Sequence, residues 1–522
     1  MEEKAEAKTK PAQPVPKLEI KKDFRTSRIS CGVWAYSRSE LVFEPYFVLE
    51  GNGLAKFGSR SLVVKTDSGK RIEFPFAHTY DITTENQPHP SITLTILNAP
   101  QVFDATPSDL MDLLVSKTAG LSINGGKGPK HQRISALTPN HSLVAGSCYT
   151  YRIILAHDSS RAPHEVAEYM HSLQKLSGLP PITHQQINAV SPRRSFATQH
   201  KELEAALTDV DKFSYYWRLK FQVRRLASNG ILTPGQILSI VPDIVKSLRR
   251  CGVAICIATV RRFQSLIPWA GVEIEATDLD LPALLQLLMN AEKYALSNEE
   301  YLNSDGSFEH ASENMAMIHR VTVTPTGMYL YGPDSEPMNR VLRKYPNNHE
   351  FFLRVTFADE DGESVRYNPR VSNDQIFNQR FKSMLRNGIS IAGRKYDFLG
   401  FSHSSLRAQS CWFMAPFTHD GSLLFYKKFI EELGDFTQIR CPAKCAARIG
   451  QAFSETPVAV SFPHGTIKKK ADIERNGRVF SDGVGTMSTP VMHEIWKALP
   501  SMRDLKPTCF QIRYQGKHNP LA

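Results

Sequence analysis

Three acidic clusters in this chain have the spacing from which carboxylates can hold metal ions: Asp209-Val210-Asp211, Asp278-Leu279-Asp280 and Asp359-Glu360-Asp361-Gly362-Glu363. Two Mg²⁺ ions held by such a cluster can activate one oxygen and steady another in an in-line nucleotidyl displacement. The acids must then converge from one tight loop, which calls for a glycine where the backbone turns. Asp278-Leu279-Asp280 runs into Leu281-Pro282 and a Leu-rich stretch, the pattern of acids capping a helix start. Asp209-Val210-Asp211 lacks the turn glycine. The third cluster has one, yet it follows directly on the strand-like Phe352-Leu353-Arg354-Val355-Thr356-Phe357 and reads as an acidic turn. All three are expected to be surface or capping acids.

Other chemistries find less support. Gly125-Gly126-Lys127-Gly128 lacks the Lys-Ser/Thr pair of a phosphate loop and reads as a flexible basic loop. Neither a Gly-x-Ser-x-Gly elbow nor a His-Glu-x-x-His helix occurs, so acyl transfer and zinc proteolysis have no sequence basis. Cys441-Pro442-Ala443-Lys444-Cys445 has no second pair at ligand spacing, and a tetrahedral zinc site needs four ligands. The eight cysteines are scattered, unlike the framework of a small secreted domain, and are expected to be reduced, buried thiols. Lys and Arg exceed Asp and Glu by 63 to 52, a net charge of +11 that favours polyanionic partners.

The elements that must position any site fall into blocks. Residues 1–22 mix Lys, Glu, Ala and Pro without apolar periodicity and read as a solvated tail with no signal peptide. Residues 23–160 alternate short β-rich runs with turn signals: Cys31–Tyr36, Ser61–Lys65, the Thr66-Asp67-Ser68-Gly69 turn, Ile72–Phe76 and Ile92–Ile96. From 164 to 310 the period becomes helical. Phe213–Leu226 sets Tyr216, Leu219, Val223 and Leu226 on one stripe, Asn229-Gly230 supplies a left-handed stop, and Arg218, Lys220, Arg224 and Arg225 read as the solvated face, with the lining of an RNA path as the competing role. Neither a repeat of solenoid period nor an apolar run long enough to span a bilayer occurs, which leaves nucleus or cytoplasm.

Residues 315–522 carry a series of blocks in a recognisable order: His319–Thr326, Asn339–Arg343, Phe352–Glu360, Phe398–Ser402, Ala447–Ser454, Asp472–Arg475 and Phe480–Gly485. Together they resemble the cell-encoded RNA-dependent RNA polymerases of eukaryotic RNA silencing, of the fungal type, and the Cys31-Gly32-Val33-Trp34 run extends the resemblance upstream. The resemblance implies an α+β fold: a β-rich N-terminal module, a helical middle segment, and over 315–522 the front part of a double-psi β-barrel polymerase core, the first barrel being incomplete.

It also implies partners and a site. The complete family enzyme copies a single-stranded RNA template from nucleoside triphosphates into double-stranded RNA for small-RNA silencing, with Mg²⁺ held by an Asp-x-Asp-Gly-Asp loop of the second barrel. That loop lies beyond the Phe480–Gly485 block. The 522 residues contain no such string, and the match breaks after Gly516, where Lys517-His518-Asn519-Pro520-Leu521-Ala522 replaces the family continuation. The expectation is therefore a chain truncated before its catalytic loop, binding no metal and inactive alone. Asp482 would face the cleft, while Arg448, Arg513 and Lys517 would contact RNA or nucleotide phosphates, with Lys468-Lys469-Lys470 adding charge. Turn stabilisation by Asp482 and structural ion pairs for the arginines are the competing roles. The alternative is a non-catalytic RNA-binding or regulatory fragment that holds RNA or a silencing-complex protein.

Overall fold

The computed structural model describes residues 23–522 apart from 38–39, 59, 86–88, 106–130, 157–181, 214–215, 304–313, 455–459, 461–465, 469, 482–483, 500–504, 515–516 and 522. The expected tail (1–22) and the basic loop Gly125–Gly128 lie outside the described residues.

Alternating burial builds the N-terminal half. In β3 (Ser61–Thr66) Leu62 and Val64 are buried while Lys65 is exposed, and in β4 (Arg71–Pro75) Ile72 and Phe74 are buried, the period of two that a sheet with one apolar face requires. These strands join the long β1 (Asp23–Ser37) and β2 (Glu40–Phe57), β5 (Thr79–Glu85), β6 (Ser91–Ile96), β7 (Gln101–Ala105), β8 (His131–Ile134), β9 (Thr150–Leu155), β10 (Ile182–His184) and β11 (Asn188–Ala189). The sheet runs β10-β5-β6-β9-β1-β2-β3-β4-β7-β8, with β11 beside β2. At Gly32 the β1–β2 register shifts, and a Cβ there would lie 2.0 Å from the Glu44 carbonyl oxygen. Only glycine lets the two backbones approach so closely.

The longer described helices of this half are α1 (Phe196–Thr208), α2 (Trp217–Ser228), α3 (Pro234–Cys251), α4 (Val253–Leu266) and α5 (Leu281–Ser297), a four-residue turn of helix at Pro139–Ser142 preceding them. The range from 164, read as helical, thus includes β10 and β11. Helix α3 opens on a Thr233–Gln236 capping box and α5 on Asp280, whose carboxylate accepts from Ala283 N at 2.8 Å. The C-terminal half centres on a six-stranded sheet in the order β13-β12-β14-β18-β17-β16. Its strands are β12 (Met315–Val323), β13 (Met328–Pro337), β14 (Phe352–Phe357), β16 (Ile389–Ile391), β17 (Arg394–Gly400) and β18 (Ser410–Met414); β15 (Val371–Ser372) instead pairs with β8 of the first sheet, and β19 (Phe417–His419) and β20 (Ser422–Leu424) form a hairpin of their own.

Helix α2 ties the halves together. Leu219, Val223 and Leu226 pack with Ile237, Ile240 and Phe263 of the helical core, whereas Trp217 and Phe221 enter the core of the second sheet with Val321, Val355 and Phe413. Tyr216, expected on the stripe, caps the helix start instead and is half exposed, because the apolar face begins one residue later. The expected solvated face is not one. Arg218 pairs with Glu350 at 2.9 Å and Arg224 with Glu204 at 2.8 Å, while Arg225 turns to the Gly332 carbonyl, because neighbouring elements cover both sides of the helix. Gly230 ends it with φ +64, and a Cβ there would sit 2.3 Å from the Tyr149 ring.

Candidate functional site

Each acidic cluster is engaged in structure. Asp280 caps α5, and Asp278 accepts from Glu275 N at 3.2 Å. Asp209 ends α1 and pairs with Lys212 at 3.0 Å. The Asp359–Glu363 turn closes through Gly362 N to the Asp359 carbonyl, with Gly362 at φ +81. Asp361 and Glu363 are exposed as expected, but Asp359 and Glu360 are not surface groups, which corrects the expectation for those two. Glu360 is 7% exposed and shares the buried Arg133 of β8 with Asp359, whose carboxylate meets that guanidinium at 3.0 Å. Burial pushes the Glu360 carboxyl well up, against the pull of Arg133 and helped by Asp359 beside it. With their oxygens turned to a guanidinium, these carboxylates do not fit a metal pair, and among the described residues no group of three metal-ligating side chains converges.

The family-like blocks meet through glycines. Phe398–Ser402 ends β17, and Ala447–Ser454 spans the end of α6 (Pro442–Gly450) and the turn Gln451–Phe453. A Cβ on Gly400 would lie 2.5 Å from the Phe453 ring, and one on Gly450 would lie 2.3 Å from the Phe401 carbonyl oxygen. The two segments are locked face to face at a distance that only glycine permits. Arg448, two residues before that contact, is exposed on the outer side of α6.

The later blocks close on each other as well. Asp472–Arg475 and Phe480-Ser481 flank the hairpin of β21 (Glu474–Arg475) and β22 (Arg478–Val479), whose Asn476-Gly477 turn has φ +52 and +70. Ser481 Oγ accepts from Ile473 N at 2.6 Å and donates to Asp472 Oδ1 at 3.2 Å. Asp482 follows directly but lies outside the described residues. Arg513 and Lys517 stand in β23 (Phe510–Tyr514) and β24 (Lys517–Leu521), their side chains likewise outside them. Lys468 and Lys470 are exposed. Among the described residues Arg448, Lys468 and Lys470 thus present cations on α6 and the approach to the hairpin. Cys441 and Cys509 are exposed, contrary to the expected burial, because they lie at helix and strand entrances where one face is open.

A second electropositive centre escaped sequence reading. His319 of β12 is 2% exposed, lies between Trp217 and Phe221 at ring distances of 5.0 and 4.5 Å, and has no hydrogen-bond partner on either ring nitrogen. Burial, then the fields of Arg218, Arg261, Arg394 and Arg225, hold its pKa well below the usual histidine value. His200, which accepts from Arg224 at 2.6 Å, is pushed down to about 4 by burial and that cation. Both rings stay neutral in the fold and take a proton on unfolding below pH ~6.5, so stability is full above that pH and falls as pH drops below it. Denaturant unfolding between pH 7.5 and 5 should therefore show a falling stability, with His319 contributing about 1.4 kcal/mol per pH unit below pH 6. His319→Phe should flatten that slope by one proton; parallel slopes in the two proteins would contradict the assignment.

Residues 323–518 match the family model described as RNA dependent RNA polymerase, and residues 22–194 match one described as fungal RdRP associated PH-like domain. The chain is 40% identical over 227 residues to RNA-dependent RNA polymerase 6 of Arabidopsis thaliana, covering 40% of this chain and 18% of that protein. It is 30% identical over 320 residues to the probable RNA-dependent RNA polymerase SHL2 of Oryza sativa subsp. japonica, covering 58% and 24%. With RNA-dependent RNA polymerase 1 of Schizosaccharomyces pombe the identity is 32% over 242 residues, covering 46% and 19%. The chain thus spans roughly a fifth to a quarter of the length of these relatives.

Proposed function

We propose, on the premise that residues 323–518 belong to the RNA-dependent RNA polymerase family, that this chain supplies the N-terminal and leading core portions of an enzyme that copies single-stranded RNA into double-stranded RNA for small-RNA silencing. The observation that carries the reading is the mutual fit of the blocks: Phe398–Ser402 and Ala447–Ser454 dock glycine to backbone, and Asp472 meets Ser481 across a hairpin. Blocks recurring by chance would have no reason to complete one another in space.

In this reading the division is 23–160, 164–310 and 315–522, and the last segment contributes to the first of two double-psi β-barrels. Arg448, Arg513 and Lys517 grip phosphates of RNA or nucleotide, and Asp482 faces the cleft. Mg²⁺ belongs to an Asp-x-Asp-Gly-Asp loop, which residues 1–522 do not contain; when bound there it would stabilise charge on the triphosphate as pyrophosphate leaves. The work takes place in nucleus or cytoplasm; among the described residues no helix is long and apolar enough to cross a membrane.

Residues 1–522 should bind single-stranded RNA with an affinity that falls as salt rises, about 0.7 in log K per log salt for each phosphate neutralised. Arg448→Glu with Lys468→Glu and Lys470→Glu should weaken binding at least tenfold and flatten the salt slope, measured by fluorescence anisotropy. An unchanged slope would remove this face from the RNA path. A second reading, a non-catalytic RNA-binding fragment, rests on the engagement of every described acidic cluster in caps and ion pairs, and primer extension separates the two.

A further inference from the structure

Where β1, the loop before β9, α2 and α4 meet, the fold forms a half-open pocket of about 400 Å³, within the size of small-molecule sites. Its walls include Trp34, Tyr149, Arg225, Arg261, Gln264 and Trp269. Among the described residues no carboxylate forms an ion pair with either arginine. Asp334, the nearest acid to act on Arg225, is half exposed and directed to Arg320 at 3.5 Å. Arg225 reaches the Gly332 carbonyl only at 3.5 Å and Arg261 the Pro333 carbonyl at 3.3 Å, while Arg225 Nε and Arg261 Nη1 are buried without acceptors. Burial and the neighbouring Arg261 both depress the Arg225 pKa. Two half-buried cations beside each other destabilise the fold unless an anion joins them.

The remaining walls select what kind of anion. Trp269 Nε1 is a third buried donor without an acceptor, and its ring lies 5.1 Å from that of Tyr149 at 51°. The Trp34 indole already donates to Thr95 Oγ1 and the Tyr149 hydroxyl to the Gly146 carbonyl, so these rings offer faces and not polar atoms. A ligand that suits the cavity therefore carries a multiply charged acceptor group and a flat ring, since guanidinium forks match phosphate oxygens and aromatic faces stack on bases.

We propose that this cavity binds a nucleoside phosphate, its phosphate between Arg225 and Arg261 and its base against Trp269 and Tyr149, either free or at the 5′ end of an RNA chain. Neither Arg448 nor the hairpin at 474–479 lines this pocket, and the proposal does not depend on the polymerase reading.

Equilibrium dialysis of residues 1–522 with AMP, adenosine and inorganic phosphate, followed by tryptophan fluorescence, tests it. AMP should bind at one site, with adenosine at least tenfold weaker. Arg261→Gln should weaken AMP at least tenfold. Because Arg261 also touches Pro333, a second variant guards against misfolding: Ser265→Glu, on the exposed last turn of α4 and in the pocket lining, should weaken AMP binding at least tenfold by setting a carboxylate against the phosphate site, without lowering Tm. Arg448→Glu should leave AMP binding intact, which separates this site from the proposed RNA path. Competition by a 5′-phosphorylated oligonucleotide, but not by its 5′-hydroxyl twin, would identify an RNA end as the ligand; competition by neither would identify the free nucleotide. Equal binding of AMP and adenosine, or wild-type AMP affinity in Ser265→Glu, overturns the proposal.

Discussion

Arg133→Met lowers the unfolding free energy by about 3–5 kcal/mol, the usual cost of removing one partner of a buried ion pair. The side chain is 5% exposed, and its guanidinium is the cation that Asp359 and Glu360 share across more than two hundred residues of chain. It joins the first sheet, through β8, to the turn that follows β14, at the place where β15 also pairs with β8. Without it Glu360 is left buried with one oxygen already lacking a partner. The loss is not the worth of the pair but the cost of an orphaned acid, so Glu360→Gln added to Arg133→Met should restore part of it. Urea unfolding of the two variants checks this. A loss below about 1 kcal/mol in Arg133→Met would mean that the contact is incidental, as at an exposed pair.

Gly450→Val should cost about 3 kcal/mol or more, and Gly400→Val less. Both glycines sit at the docking of β17 against α6, but what faces them differs. The Cβ of residue 450 would meet the Phe401 carbonyl oxygen at 2.3 Å, a backbone atom that cannot move without shifting β17. The Cβ of residue 400 would meet the Phe453 ring at 2.5 Å, a side chain with some room to turn. Overpacking against rigid backbone carries the larger strain. Denaturant melts give the order of the two losses; the reverse order would show that the Phe453 ring, and not the carbonyl, is the fixed element.

Much of this architecture was legible where local chemistry decides it. The alternation in Ser61–Lys65 and Ile72–Phe76 places two strands, the Thr66–Gly69 turn closes with Gly69 at φ +84, and Asn229-Gly230 stops α2 in the left-handed region. Asp280 caps a helix because its carboxylate accepts from Ala283 N, a first-turn amide that has no carbonyl within the helix to bond. Phe352–Phe357 forms a central strand, consistent with its β-branched and aromatic run.

What escaped the sequence depends on partners far along the chain. Glu360 is indistinguishable in sequence from a solvated turn acid until Arg133 is placed against it. Arg218, Arg224 and Arg225 have the spacing of a solvated face, and only Glu350, Glu204 and the Gly332 carbonyl, brought by other elements, cover them. The cavity beside Arg225 and Arg261 had no local signal at all, since its walls come from β1, the loop before β9, α2 and α4. Gly400 and Gly450 were visible as members of family-like blocks, but their reason is a steric one that appears only when the two segments touch.

The central claim is that residues 1–522 hold RNA by charge while every described acidic cluster serves caps and ion pairs. Purified protein incubated with a primed RNA template, nucleoside triphosphates and Mg²⁺ tests it most directly. The predicted result is retention of the RNA that weakens as salt rises, with the primer left unextended; nucleotide addition to the primer by this chain alone would contradict the claim.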